Sequence, residues 1–183
     1  EKIITEVIIP TIPHIQKLFD DGKIGKSEQK LMNSIISGSM QLVNHHSPLP
    51  QREKNIIIIS ADSESVLNSE AAASGFRSHE WNVFSIGDMS SAIDVLFDLE
   101  LRKLLSKVWK AKEGLMVVLV FSQTEEGLKF FSDSFFSVKE KSETNLFLIL
   151  SGKTGKKVKI QSDLSSSKLE EIIQWSNSKY ENI

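Results

Sequence analysis

The sequence predicts an α/β fold: a five-stranded, parallel, doubly wound sheet of Rossmann-like or flavodoxin-like type, preceded by a small helical cap segment. Three observations predict it. From residue 54 onward, strand-sized apolar runs alternate strictly with helix-sized amphipathic stretches, the order that requires parallel strands joined by crossover helices. The runs Asn55–Ser60, Leu115–Phe121 and Leu146–Leu150 are apolar at successive positions, as strands buried on both faces are. Before residue 45 only a helical period is present, and a Pro-containing stretch separates it from the rest. A chain of 183 residues suffices for one such domain with a small attachment.

Taken in order, Ile8, Ile12, Ile15 and Phe19 recur at helical spacing, with Pro10 and Pro13 expected in the first turn and Gly22 as the stop. Ser27 is the expected N-cap of a second helix, with Glu28 at the positive end of its dipole and Leu31, Ile35, Ser39 and Leu42 along one face. These residues, 1–45, form the cap; 46–53, within the break Asn44–Glu53, form a linker with Pro48 and Pro50; 54–183 form the α/β domain. Asn55–Ser60, with four consecutive isoleucines, is the first strand, and Ser65–Gly75 is helical. Trp81–Ile86 is the second strand, ended by Gly87 and Asp88, and Ser91–Lys112 is a long amphipathic helix through Ile93, Phe97, Leu101 and Val108. Leu115–Phe121 is the third strand, and Ser122 with Glu125 makes a capping box for the next helix. Leu146–Leu150 is the fourth strand, Lys157–Ile160 a short fifth, and Ser167 with Glu170 caps the last helix.

Composition excludes several classes. With 22 Lys+Arg against 24 Asp+Glu the net charge is −2, so the chain does not blanket nucleic acid or an anionic membrane, and it carries neither a basic stripe nor a recognition helix. It contains no cysteine, which removes disulfides, thiolate metal sites and cysteine nucleophiles. No segment approaches the ~20 apolar residues of a membrane span. The chain begins Glu-Lys-Ile-Ile with neither Met nor an export signal, the pattern of a trimmed or partial chain, and the cytoplasm is the expected location.

In sheets of this kind ligands sit beyond the C-terminal strand ends, near the reversal of strand order, which directs attention to 61–67, 87–89, 122–124 and 151–156. A phosphate loop at Gly152-Lys153-Thr154 needs a glycine at 147, where Phe147 stands inside a strand, and no GxGxxG follows the first strand. A phosphoaspartate switch has Asp62 available, but the third strand ends in Ser122 without a carboxylate. The adjacent pair His45-His46 points apart in a proline-flanked linker, no carboxylate or histidine stands at metal-ligand spacing from His14 or His79, no G-x-S-x-G occurs, and Glu125-Glu126 and Glu170-Glu171 open helices. No catalytic and no metal residues are assigned, and no enzyme activity is expected.

The order of parts, together with three stretches, resembles the cobalamin-binding modules of methionine-synthase type and of cobalamin-dependent transcriptional regulators and photoreceptors. Residues 8–33, IIPTIPHIQKLFDDGKIGKSEQKLMN, look like the helical cap; 71–87, AAASGFRSHEWNVFSIG, look like the passage from helix to second strand; and 117–122, VVLVFS, look like the third strand ending in a serine that lies against the corrin side chain. The resemblance spans about residues 8–155. Where the family has D-x-H-x-x-G, this chain reads Asp62-Ser63-Glu64-Ser65-Val66-Leu67. The resemblance therefore puts Glu64 in place of the histidine below cobalt and Leu67 in place of the glycine beside the nucleotide tail. In the cap it puts Phe19, Gln29 and Lys30 in place of the family's Trp, Glu and His. Glu80 replaces the glycine before Trp81, Gly87, Ser122 and Gly152 are retained, and the nucleotide-tunnel Gly-Gly becomes Ser151-Gly152.

The resemblance implies a cofactor-binding set of Phe19, Gln29, Lys30, Asp62, Glu64, Leu67, Gly87, Ser122 and Gly152, with cobalamin as the cofactor and no imidazole beneath cobalt. It implies a cobalamin-binding-type sensory or regulatory domain with non-standard or lost ligation, acting by ligand-dependent association, with self-association or a regulatory protein as partner and with neither nucleic acid nor membrane contacted. The alternative is a module without cofactor that serves dimerisation or partner docking. Third comes a corrinoid carrier for methyl transfer, a role that uses the lower ligand.

Overall fold

Helix formation begins at once: a π-helical stretch Ile3–Ile8 runs directly into α1 (Ile9–Asp20) in the computed structural model, which describes residues 3–91, 97–140, 143–152 and 160–182. Pro10 lies in the first turn of α1, but Pro13 is inside the helix, where its missing N–H leaves the Ile9 carbonyl without its usual donor. The chain reverses at Asp21 and Gly22 into α2 (Lys26–Asn44). Its N-cap is Gly25, not Ser27: the Glu28 carboxylate folds back to accept the Gly25 N–H at 2.7 Å, which leaves Ser27 inside the first turn.

Beyond the connecting stretch come β1 (Lys54–Ser60), a 3-10 turn Ser63–Ser65, α3 (Val66–Ser78), β2 (Asn82–Asp88) and α4 (Phe97–Val108). Then follow β3 (Leu115–Ser122), α5 (Glu125–Val138), β4 (Leu146–Gly152), β5 (Leu164–Ser165) and α6 (Leu169–Glu181). All strand pairs are parallel in the order β2-β1-β3-β4-β5. The expected α/β class, parallel sheet and preceding helical segment are all present.

The isoleucine run works as its pattern implies. Ile56 and Ile58 enter the core on the side of α3 and α6, Ile57 and Ile59 that on the side of α4 and α5, and all four are fully buried. Each such side chain contributes about 1.5–3 kcal/mol of hydrophobic stabilisation. Ile15, Ile36 and Met40 of the N-terminal helices belong to the same buried cluster as Ala71, Ala72 and Phe76 of α3, so the cap and the sheet share one apolar core.

Several local expectations are corrected. The fifth strand is Leu164–Ser165, held to β4 by Asp163, whose carboxylate accepts the Leu148 N–H at 2.7 Å; of the expected 157–160, only Ile160 is among the described residues, and it is not in a strand. Ser91 lies in a turn, Ile93 falls outside the described residues, and α4 closes at Val108 with a separate 3-10 turn at Lys110–Lys112. Ser122 completes β3 and Thr124 caps α5, accepting the Gly127 N–H at 3.2 Å. The last helix follows Lys168, with Ser166, not Ser167, receiving the Lys168 N–H and donating to Glu171. Gly87 lies inside β2, at a bulge where Ile58 pairs Ser85 and Ile59 pairs Gly87; its φ of 78° is the left-handed conformation that an extra residue there requires. On α2 the face turned to the core is that of Ile36 and Met40, whereas Leu31, Ile35 and Leu42 point to solvent.

Candidate functional site

The strand order reverses between β1 and β3, so the crevice that parallel sheets offer to ligands opens above the ends of those two strands. Asp62 stands there. Its extended backbone caps the 3-10 turn, and one carboxylate oxygen accepts the Ser65 N–H at 2.9 Å. The other accepts the Ser122 hydroxyl at 2.8 Å and the Gln123 N–H at 2.7 Å. Partial burial opposes its charge, but hydrogen bonds from Ser65, the Gln123 amide and Ser122 outweigh that and hold the Asp62 carboxyl below the usual carboxylate range. Ser122 is buried and also receives the Thr124 N–H at 3.1 Å. Gly152, its register partner on β4, is so close that a Cβ there would lie 1.9 Å from the Ser122 carbonyl oxygen. Strand packing alone thus demands glycine at 152.

Beside this crevice, α1, α2 and the N-terminal turns of α3 enclose an open groove of about 620 Å³. Five of the residues singled out in the sequence line it: Phe19, Gln29, Lys30, Glu64 and Leu67. Asp62, Gly87, Ser122 and Gly152 are not in the lining; they belong to the strand ends. Glu64 is exposed on the 3-10 turn, Lys30 is exposed on α2, and Phe19, Gln29 and Leu67 are half-buried.

Most of the lining residues carry polar or charged side chains. The Gln29 amide donates to the Gln16 carbonyl oxygen at 2.9 Å and Gln16 donates to Asp20 at 2.8 Å, a relay that ties α2 to α1. Ser37 donates to Glu70 at 2.7 Å and ties α2 to α3. Lys26, Asn33 and Ser34 complete the α2 wall, while Val66 and Leu67 are its apolar patch on α3. Sequence reasoning missed Gln16, Ser37 and Glu70, which meet only when the helices pack. Glu80, where the resemblance expects glycine, has φ 65°, so the backbone before Trp81 keeps a glycine-like turn without the glycine.

All four histidines lie elsewhere. His14, His45 and His46 are exposed, and His79 ends α3 with a ring nitrogen 2.9 Å from the Gly75 carbonyl oxygen. Among the described residues no group of three or more His, Cys, Asp and Glu is placed to hold a metal ion, and no helix is long and apolar enough to cross a membrane.

The architecture matches that of a solved protein. Over 97% of this chain and 82% of the other, it aligns with the monomethylamine corrinoid protein of Methanosarcina barkeri, with a TM-score of 0.67 at 12% sequence identity. The chain shares the fold of that protein. A cobalamin-binding protein of Desulfitobacterium hafniense DCB-2 aligns with a TM-score of 0.49 at 12% identity, over 97% of this chain and 83% of that one. The methanol:cobalamin methyltransferase complex of Methanosarcina barkeri aligns with 0.45 at 13% identity, over 100% and 68%. No family model matches the chain, and no curated protein matches it in sequence.

A corrinoid-protein fold raises the question of whether these side chains suit a corrinoid. For cobalt held by imidazole they do not: the groove offers the carboxylates of Glu64 and Glu70, the amides of Gln16 and Gln29 and the ammonium groups of Lys26 and Lys30, and no imidazole. The strand ends next to it are bridged by the two hydrogen bonds that Ser122 and Gln123 donate to Asp62 and by the contact of Gly152 with Ser122.

Proposed function

We propose that this chain is a regulatory module of the corrinoid-protein fold that does not hold cobalt through histidine and works by association with protein. The observation that carries the reading is the groove itself. It lies between the cap helices and the start of α3 in a fold shared with a corrinoid protein, yet its lining offers carboxylate, amide and ammonium groups and no imidazole to serve as a nitrogen ligand. Asp62, joined to Ser122 and Gln123, acts as a latch across the strand ends, so it is a structural group in this reading.

The test is an ultraviolet–visible titration of the purified chain with hydroxocobalamin and adenosylcobalamin, followed by gel filtration. The proposal expects no corrin absorbance in the protein fraction. A second reading, a corrinoid carrier for methyl transfer, is favoured by the fold of the monomethylamine corrinoid protein, and it expects stoichiometric co-elution. The variant Glu64→His separates the two further: a histidine-ligated corrin spectrum only in the variant marks a cavity that has lost its ligand and nothing else.

A further inference from the structure

We propose that the outer face of α2 is the contact through which two copies of this chain pair, α2 against α2 in antiparallel order about a two-fold axis. The inference gives a geometry to the association half of the function proposed above and rests on it. Among the described residues, seven large hydrophobic side chains are strongly exposed, and five of them, Ile3, Val7, Leu31, Ile35 and Leu42, belong to the N-terminal helical stretches. On α2 the exposures are 62% for Leu31, 60% for Ile35 and 70% for Leu42. At about 100° per residue, Leu31, Ile35, Gly38 and Leu42 fall within a sector of roughly 60°, on the opposite side from buried Met40. The helix is therefore apolar on two sides: the side of Ile36 and Met40 is packed in the core, and that of Leu31, Ile35 and Leu42 is exposed among the described residues.

The pattern along this outer stripe fits a copy of itself. In antiparallel order Leu31 of one helix faces the partner's Leu42 at each end, and Ile35 and Gly38 lie at the centre. A Cβ at Gly38 would touch nothing within 4 Å, so no contact among the described residues requires a glycine there, while its bare backbone lets a second helix approach closely. Hydrogen-bonding capacity and the helix dipoles favour the same order, since an imidazole offers an N–H donor to a carboxylate. Glu28 borders the stripe at its N-terminal end and His45 and His46 at its C-terminal end. Antiparallel pairing brings Glu28 beside the partner's histidines and opposes the two helix dipoles; parallel pairing stacks like on like.

The absence of cysteine from the chain makes the test direct. Sedimentation velocity on the full chain over a hundredfold concentration range is expected to show a monomer–dimer equilibrium. The variant Leu31→Glu with Leu42→Glu is expected to stay monomeric with an unchanged circular dichroism spectrum. Ile35→Cys, under mild oxidation, is expected to form a disulfide-linked dimer, whereas Leu49→Cys, 89% exposed in the linker, is not. A monomer at every concentration, a dimer that survives the double glutamate variant, or equal cross-linking at 35 and 49 overturns the proposal. A dimer that also takes up corrin leaves the pairing standing and overturns the lost-ligation reading. A chain that takes up no corrin and stays monomeric does the reverse.

Discussion

Replacing Asp62 by Asn alters the latch between β1 and β3 while keeping its size. The carboxylate accepts three hydrogen bonds, from the Ser65 N–H, the Ser122 hydroxyl and the Gln123 N–H. An asparagine carbonyl oxygen can keep one backbone donor, but its NH₂ then faces either the Gln123 or the Ser65 N–H, donor against donor. The Ser122 hydroxyl can rotate to accept, at the cost of its existing role toward Thr124. Leaving one backbone N–H unpaired and losing one charge-assisted bond costs about 2–3 kcal/mol. For a chain of this length that is a fall in Tm of roughly 5–10 °C. Urea unfolding followed by circular dichroism, at neutral pH and unchanged m-value, measures it. The pH dependence follows from the sign of the shift. Because the folded-state pKa lies below the unfolded value, the contribution is complete above about pH 5 and fades as pH falls below roughly 4. The difference between wild type and Asp62→Asn is therefore flat from pH 5 to 8 and shrinks toward pH 3. A difference under about 0.5 kcal/mol at pH 7, or one that grows on acidification, refutes the latch.

Other substitutions probe the rest of the frame. Gly152→Ala places a methyl group 1.9 Å from the Ser122 carbonyl oxygen, so the ends of β3 and β4 must part; a loss of at least about 2 kcal/mol in urea unfolding is expected. Phe131→Ala removes a ring buried at 4.8 Å from Phe97 and is expected to cost about 3–5 kcal/mol by the same assay. Trp81→Phe loses the indole bond to Asn177 at 2.9 Å but keeps the packing against Phe76, and a cost of about 1–2 kcal/mol is expected. Glu64→Gln, at an exposed groove position, is expected to leave stability within about 0.5 kcal/mol of wild type in thermal unfolding.

What the sequence made legible depended on how much of each signal was local. The four isoleucines of β1 identify a two-sided strand because no other placement buries all four. The two residues of β5 carry no such signal; the Asp163 carboxylate and its pairing with Leu148 make that edge, and both are tertiary. Serine before an acidic residue three positions on reads as a capping box at 122, but Asp62 claims that hydroxyl and the strand extends one residue further. On α2 the sequence holds two apolar stripes and cannot say which meets the core; packing against α3 selects Ile36 and Met40. The groove shows the same division. Phe19, Gln29, Lys30, Glu64 and Leu67 came from motif positions, whereas Gln16, Ser37 and Glu70 arise from contacts between helices distant in sequence.

The most direct test of the account is the corrin content of the protein after incubation with excess hydroxocobalamin and gel filtration, read as the ratio of corrin to protein absorbance. A groove walled by Glu64, Lys30 and Gln29, with no imidazole and with the strand ends latched by Asp62, predicts a ratio indistinguishable from that of a non-binding control protein. A stoichiometric ratio, with a spectrum showing nitrogen ligation at cobalt, would contradict it.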